Sequence, residues 1–262
     1  MTHATEVLIP SSPDEAVSLF GDGAGVTVIG GGTIVMPEIT YGRLAPAKAL
    51  LLHRAGLTGV TRDGGRVTIG AATPVEALLE LGEPLRSSAL NLADVEIRGQ
   101  GTVGGNLCAG QGPDVPRGDL QGPLIALGAQ VRSVGAGGET TEPVEDFLAR
   151  RDGRLVLDVS FTEPQASAWA CLERPHTHEY TAMAVTACRQ ADGSVRIGAT
   201  GTGSHGVRLV SAEAQAGDPQ AAGAAALADV RLHDDALASA WYREQTLPVL
   251  VRRVLTQLQE GA

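Results

Sequence analysis

Two glycine clusters constrain what this chain can fold into more than any other feature of its sequence. Each cluster directly follows a segment that is predicted to be extended. The clusters are Gly30-Gly31-Gly32-Thr33 and Thr102-Val103-Gly104-Gly105-Asn106. Because glycine has no Cβ atom, its backbone adopts positive φ angles readily, and successive peptide N–H groups can turn towards an anion. Two such loops predict one elongated anion, a nucleotide, held between them, although each cluster alone is also compatible with an ordinary tight turn.

The common phosphate-binding motifs do not fit these clusters. After the extended segment Val26–Ile29, the dinucleotide fingerprint G-x-G-x-x-G needs glycine where the chain has Val35, and Pro37 is expected to interrupt the helix that should follow. A P-loop ends in Gly-Lys-Ser/Thr, and neither cluster contains a lysine. These departures argue against a Rossmann start and against a kinase or NTPase.

Composition and charge narrow the class of protein further. The chain has 262 residues, of which 43% are apolar, enough for one substantial core or two to three small ones. Its net charge of −10, without a basic run, argues against nucleic acid or an anionic membrane as a partner. We find neither a signal-peptide pattern nor an apolar run of the ~20 residues that a membrane helix needs, and expect a cytoplasmic protein.

The cysteines and histidines argue against a metal centre in this chain. Cys108, Cys171 and Cys188 are scattered, as is typical of reduced thiols. A two-iron iron–sulfur cluster normally takes four cysteine ligands, so any such cluster must lie on another subunit. His176 and His178 have no cysteine nearby and are more typical of a solvated strand edge than of a metal site.

The pattern of apolar and turn residues predicts three pieces. Residues 1–53 form a βαβ unit, with a helix over Pro13–Phe20 that Ser11 or Ser12 caps, and strands over Val26–Ile29 and Ala49–Leu52. Residues 54–150 form a mixed α+β piece that opens with a hairpin turn at Asp63-Gly64-Gly65.

The third predicted piece covers residues 151–262. A boundary is expected at the charged turn over residues 150–153, and strands are predicted over Leu155–Phe161, Ala168–Leu172, Ala182–Arg189 and Val195–Thr200. These strands would form an antiparallel sheet, followed by short alanine-rich helices and a terminal helix over Leu247–Leu258. The fold class predicted for the whole chain is α+β.

Longer strings around the two clusters resemble a known family. The segment from Gly30 to Pro37 is similar to A-G-G-T-D-L-x-P, and the segment from Ile97 to Cys108 is similar to I-R-N-x-G-T-I-G-G-N-L-C. Both strings resemble the FAD-binding medium subunit of molybdenum hydroxylases, the group that contains carbon monoxide dehydrogenase and xanthine dehydrogenase. Residues 67–74, 119–129, 204–208 and 239–243 extend the resemblance over nearly the whole chain.

The resemblance implies a fold and a cofactor site. The fold is the two-subdomain FAD-binding fold of the vanillyl-alcohol-oxidase type, followed by a small domain with an antiparallel sheet and helices. FAD would lie between the first two subdomains, with its pyrophosphate on the glycine loops and Asp119 near the flavin, Asp114 being the rival for that position. The implied cofactor-binding residues are Gly30, Gly31, Gly32, Thr33, Ile34, Ala71, Ala72, Thr102, Gly104, Gly105, Asn106 and Asp119.

The resemblance also implies a function without a catalytic residue in this chain. The family's flavin subunit passes electrons from an iron–sulfur cluster of a small partner subunit through FAD to an external acceptor, while a large molybdopterin-binding subunit oxidises the substrate. Two alternatives are a free-standing FAD-dependent oxidoreductase and a non-catalytic scaffold that has lost flavin. An oxidoreductase of the free-standing kind would need acid/base residues of its own, and the sequence offers no obvious candidate.

Three departures from the family pattern bear on the site. Ile34 stands where the family usually has a small polar or acidic residue, so one hydrogen bond to the cofactor is expected to be missing. No basic residue follows directly on Pro37, and the basic string expected near the start of the C-terminal sheet is altered over residues 172–176. These departures affect the expected affinity for flavin and the contacts with partners more than the fold.

Overall fold

The protein contains three β-sheets that follow one another along the chain, with helices packed against them. The computed structural model describes residues 5–110, 118–172 and 181–261. In chain order the sheets have three, five and four strands. The α+β prediction is therefore confirmed.

The N-terminal unit is a small parallel sheet with the strand order β1-β3-β2. Helix α1 packs Ala16 and Phe20 into its core. The hydroxyl of Ser12 caps α1 by accepting a hydrogen bond from the N–H of Glu15 at 3.2 Å. The elements of this unit are β1 (Glu6–Leu8), α1 (Pro13–Phe20), β2 (Val26–Ile29), α2 (Val35–Thr40) and β3 (Lys48–Leu51).

Helix α2 differs from the sequence prediction, because Pro37 does not prevent a helix after the first glycine cluster. Pro37 is the third residue of α2. The N–H groups of a first helical turn have no acceptor within the helix, so a proline there removes no hydrogen bond. The helix is short, and Val35 still departs from the dinucleotide fingerprint.

The central unit is an antiparallel sheet with the strand order β4-β5-β8-β6-β7. Gly64 and Gly65 form the two-residue turn between β4 and β5, with φ angles of +54° and +83°. Its strands are β4 (Val60–Asp63), β5 (Arg66–Gly70), β6 (Gln130–Gly135), β7 (Gly138–Pro143) and β8 (Leu155–Thr162), and its helices are α3 (Leu85–Leu90), α4 (Val95–Gln100), α5 (Val103–Leu107), α6 (Gln121–Ala126) and α7 (Val144–Leu148).

Strand β8 departs from the predicted division of the chain. The sequence placed this segment at the start of the third piece, residues 151–262, but β8 pairs with β5 and β6 in the middle of the central sheet. A division by sheets therefore falls after residue 162 rather than near residue 150. The pattern of apolar residues identified the strand correctly, but a strand's composition does not say with which neighbours it pairs.

The C-terminal unit is an antiparallel sheet with the order β12-β11-β10-β9, covered on one face by a long helix. That helix, α10, buries Leu247, Leu250, Val251 and Val254 at the spacing of one helical face. The elements are β9 (Ala166–Leu172), β10 (Met183–Arg189), β11 (Val195–Thr200), β12 (Val207–Arg208), α8 (Val210–Glu213), α9 (Pro219–Ala225) and α10 (Ala240–Glu260).

The central and C-terminal units are joined through α6. The α-carbon of Gly198 on β11 lies so close to the carbonyl of Gly122 on α6 that a Cβ atom would overlap it. Gln121 on the same helix is buried, and its side chain donates to the carbonyls of Leu107 and Ala109 and accepts from the N–H of Gly206. None of the helices in the described ranges combines the length and apolar character needed to cross a membrane.

Candidate functional site

A cavity of about 590 Å³ lies between the N-terminal and central units, and the two glycine clusters form part of its wall. This volume is within the range of small-molecule and cofactor sites. The structure brings together here nearly every residue that the sequence predicted to bind the cofactor. Those lining the cavity are Gly30, Gly31, Gly32, Thr33, Ile34, Ala71, Thr102, Gly104, Gly105, Asn106 and Asp119.

One predicted position, Ala72, is not found on this wall. Ala72 is 7% exposed and packs in the core of the N-terminal unit, with its N–H donating to the carbonyl of Leu57 at 2.9 Å. Its neighbour Ala71 faces the cavity instead. Asp114, the rival of Asp119, lies outside the described residues.

The first glycine cluster presents unpaired peptide N–H groups. Within the described residues, no hydrogen bond uses the N–H of Gly31, Gly32 or Thr33. Gly32 has a φ angle of +76°, which favours glycine, and its carbonyl accepts the N–H of Met36 as α2 begins. The loop therefore offers successive donors of the kind that bind phosphate oxygens.

The second cluster has a different role, because its N–H groups from Val103 to Asn106 are already paired. Thr102 caps α5 by accepting the N–H of Gly105 on its hydroxyl at 3.1 Å and the N–H of Asn106 on its carbonyl at 2.8 Å. The N–H of Gly104 donates to the carbonyl of Ala71 at 2.8 Å. The sequence suggested a bare loop here, whereas the structure has a capped helical turn that is hydrogen-bonded to Ala71, the residue after β5.

The two clusters touch each other directly. A Cβ atom on Gly31 would overlap the carbonyl of Gln100, and one on Gly30 would overlap the hydroxyl of Thr102. A Cβ atom on Gly104 would lie 2.9 Å from the carbonyl oxygen of Ala71. Gly30 and Gly31 are thus required by the contact between the two segments, and Gly104 by its contact with Ala71, as well as by any ligand.

Several charged side chains on the wall were not predicted as site residues. They are Glu38, Arg151, Asp152 and Arg154. Arg151 is 8% exposed, and its Nη1 is buried without a hydrogen-bond partner among the described residues. The unsatisfied Nη1 of Arg151 and the first glycine cluster, whose free space a Cβ atom would fill, both fit an elongated anionic cofactor.

A comparison with protein families agrees with this geometry. The model described as the FAD binding domain in molybdopterin dehydrogenase matches residues 3–161. The chain belongs to this family. FAD is therefore the cofactor of this flavin domain, and the matched region ends within β8, where the central sheet is completed.

Individual relatives of the flavin domain include subunits of dehydrogenases. The carbon monoxide dehydrogenase medium chain of Hydrogenophaga pseudoflava is 30% identical over 147 residues, which are 53% of this chain and 50% of that relative. The 6-hydroxypseudooxynicotine dehydrogenase complex subunit alpha of Paenarthrobacter nicotinovorans is 26% identical over 280 residues, and the match covers 96% of this chain and 93% of that relative. The match thus spans half the length of the first relative and nearly all of the second.

A solved structure extends the similarity to the whole fold. The reconstituted CO dehydrogenase from Oligotropha carboxidovorans contains a chain that matches with a TM-score of 0.85 and 25% identity, with complete coverage of both chains. The FAD-binding fold implied by the sequence strings is therefore confirmed. The C-terminal unit, which lies beyond the matched family domain, is part of this shared fold.

In the flavin domain, Asp119 is fixed next to α5. The N–H of the following residue, Leu120, donates to the side-chain oxygen of Asn106 at 2.9 Å, and Thr181 donates to the carboxylate of Asp119 at 3.4 Å. Asn106 therefore holds the Asp119 segment against the second glycine cluster. Asp119 therefore lies beside the C-terminal half of α5.

One end of the cavity is apolar. It is lined by Val75, Leu92, Ala93 and Ile97. Ala93 has a φ angle of +46°, unusual for a residue with a Cβ atom, and Arg98 donates to its carbonyl at 2.8 Å and to that of Leu92 at 3.1 Å. The carbonyl of Ile97 accepts the N–H of Gly101, the residue before Thr102, so this end adjoins the N-terminal end of α5.

Glu38 on the cavity wall is paired with a basic residue from the turn after α2. Arg43 contacts Glu38 through two hydrogen bonds of 2.7 and 2.8 Å, and these lower the pKa of Glu38. The turn after α2 brings the two residues together. Sequence spacing did not show this pair, because it depends on where the short helix ends.

Cys108 also lines the cavity. Burial raises the pKa of its thiol to about 11, with the nearby charge of Arg151 acting in the opposite direction. The thiol is therefore protonated at neutral pH and a poor nucleophile. In the described ranges, no group of three histidine, cysteine, aspartate or glutamate side chains is arranged to bind a metal, and His176 and His178 lie outside those ranges.

Proposed function

We propose that this chain is the flavin subunit of a molybdenum hydroxylase, and that it passes electrons from a partner's iron–sulfur cluster through FAD to an external acceptor. The observation that carries the proposal is the cavity between two interlocked glycine clusters, in a chain of the FAD-binding family. Bound FAD exchanges electrons singly or in pairs and so connects one-electron donors to two-electron acceptors.

The chain's own residues position the cofactor. The free N–H groups of Gly31, Gly32 and Thr33 are assigned to the pyrophosphate, and the capped turn from Thr102 to Asn106 forms the facing wall. Ile34 contributes an apolar contact where the family usually has a polar one. The apolar end around Ile97 is assigned to the adenine ring, and Asp119 to the flavin side.

The partners in this proposal are a large molybdopterin-binding subunit and a small iron–sulfur subunit. The chain has three cysteines, fewer than the four that a two-iron cluster normally takes. The relatives named above as a medium chain and as a complex subunit support an assembly of several chains. The organic substrate would be selected by the large subunit.

The proposal is tested by following flavin absorbance in a stopped-flow instrument, with the isolated chain and with its complex. We expect substrate to reduce the flavin rapidly only in the complex. The isolated chain should show at most slow reduction by a pyridine nucleotide and reoxidation by oxygen. Rapid reduction of the isolated chain by an N-heterocycle, an aldehyde or a phenolic alcohol would instead establish a free-standing oxidoreductase, and failure to bind FAD would establish a scaffold.

A further inference from the structure

Two successive arginines between α7 and β8 have opposite environments. Arg150 has a side chain that is 68% exposed and pairs with the buried carboxylate of Glu142. Arg151 is 8% exposed, lines the cofactor cavity, and donates from Nη2 to the carbonyl of Gly110 at 2.9 Å. The second nitrogen, Nη1, is buried with no partner among the described residues.

An unpaired donor on a buried guanidinium is unfavourable, because the group has lost water without gaining an acceptor. Buried polar groups in folded proteins are almost always paired, and an exception in the wall of a ligand site points to the ligand. The missing acceptor of Arg151 is therefore expected on the bound cofactor.

The position of Arg151 indicates which part of FAD it faces. The free N–H groups of the first cluster lie beside Gln100 and Thr102, at the N-terminal end of α5. Arg151 is anchored to Gly110, which lies beyond the C-terminal end of that helix. The anchor of Arg151 and the pyrophosphate loop therefore lie at opposite ends of this five-residue helix.

The two ends of the cavity also differ in chemistry. The apolar end, with Leu92, Ala93 and Ile97, adjoins the N-terminal side of α5 and suits an adenine ring. The other end carries Arg151 and Asp152, whose charges both act on Cys108, and lies on the side of α5 to which Asn106 fixes the Asp119 segment. The redox-active ring system therefore belongs at the end with the charges.

On the basis of the proposed function, we infer that Arg151 is a positioning residue for the isoalloxazine ring. Its guanidinium donates a hydrogen bond to the carbonyl edge of the pyrimidine part of that ring. Reduction by two electrons and one proton adds a negative charge to that part of the ring. The guanidinium favours the charged form, so Arg151 raises the reduction potential of the bound flavin.

The experiment compares Arg151→Met and Arg151→Lys with a surface control, Arg62→Met, each in the full-length chain. The side chain of Arg62 is 53% exposed, and that of its partner Glu163 is 55% exposed. FAD and ADP are titrated into the flavin-free proteins, and the potential of bound flavin is measured against redox dyes with dithionite as reductant. ADP carries the adenine and pyrophosphate but lacks the flavin, so it reports on the rest of the site.

We expect Arg151→Met to weaken FAD binding about tenfold, to leave ADP binding within about twofold, and to lower the flavin potential. Arg151→Lys keeps the charge and should hold the potential close to that of the wild type. Arg62→Met should change neither the FAD affinity, nor the ADP affinity, nor the flavin potential.

Several results would overturn the inference. Equal losses of FAD and ADP affinity would place Arg151 at the pyrophosphate or in the fold, and unchanged FAD affinity and potential would remove any role at the flavin. If Arg151→Met does not fold, the test rests on Arg151→Lys, which keeps the positive charge. A lowered reduction potential of the flavin bound to Arg151→Lys would show that the charge is not the cause. If the wild type binds neither FAD nor ADP, the proposed function is overturned along with the inference. If the wild type binds both normally and the Arg151 variants do not differ from it, the inference alone is overturned.

Discussion

At Gly31 the space that a Cβ atom would need is already taken by the carbonyl of Gln100. The same residue presents a free N–H group to the cavity. One glycine therefore meets two demands, contact between the clusters and approach to an anion, and both depend on the missing side chain. The sequence alone suggested only the second demand.

We predict that Gly31→Ala will lose most of its bound FAD and unfold at a lower temperature than the wild type, because the loop must move away from Gln100. The flavin content per chain, from absorbance, and the thermal midpoint measure both effects. Gly82→Ala is the matched control, since no atom lies within 4 Å of its added Cβ. Full flavin content in Gly31→Ala would refute this account of the loop.

A second prediction for a single residue concerns Asp119. Its position on the cavity wall predicts that Asp119→Ala will change the rate of flavin reoxidation more than the affinity for FAD. Asp114→Ala should be mild in both measurements. A large effect confined to Asp114 would show that the rival aspartate lies beside the flavin.

Among the elements, those defined by local signals were predictable from sequence. The cap of α1, the turn between β4 and β5, and the face of α10 all follow from residues close together in the chain. The helix after Pro37 and the capped turn of α5 were missed, because each forms only where neighbouring segments hold it. The pairing of β8 depends on tertiary contacts that local patterns do not encode.

The side chain of Gln121 joins three elements, and its loss should be costly. Gln121→Leu leaves the carbonyls of Leu107 and Ala109 and the N–H of Gly206 without their partner. We predict a loss of about 2–4 kcal/mol in the free energy of unfolding, measured with urea. The exposed Gln257→Leu should change it by less than about 0.5 kcal/mol. Similar values for the two variants would contradict the role given to Gln121.

For the whole molecule, the sequence strings predicted the fold, the cofactor and eleven of the residues that line the cavity. They did not reveal Arg151, because one arginine beside another carries no sign of which is buried. They also misplaced Ala72, since successive residues after a strand can face opposite sides. The family match and the shared fold of the complete chain agree with the broad prediction.

We predict that the purified chain will be yellow and that acid precipitation will release its FAD into solution. The one cysteine in the cavity wall, Cys108, keeps its proton because burial raises its pKa to about 11, so it should form no bond to flavin. Absorbance of the supernatant and of the pellet checks this. Colour that remains with the denatured polypeptide would show a covalent link.

The place of β8 has a consequence for biosynthesis. It is the last strand of its sheet to be translated but stands at the centre, between the hairpin of β4 and β5 and that of β6 and β7. The two hairpins can form early, yet they share no edge until β8 enters between them. A nascent chain on the ribosome therefore holds an open sheet until residue 162 emerges, and pairing over this separation is slow. The synthesis of β8 thereby determines when the central sheet beside the cofactor cavity can be completed.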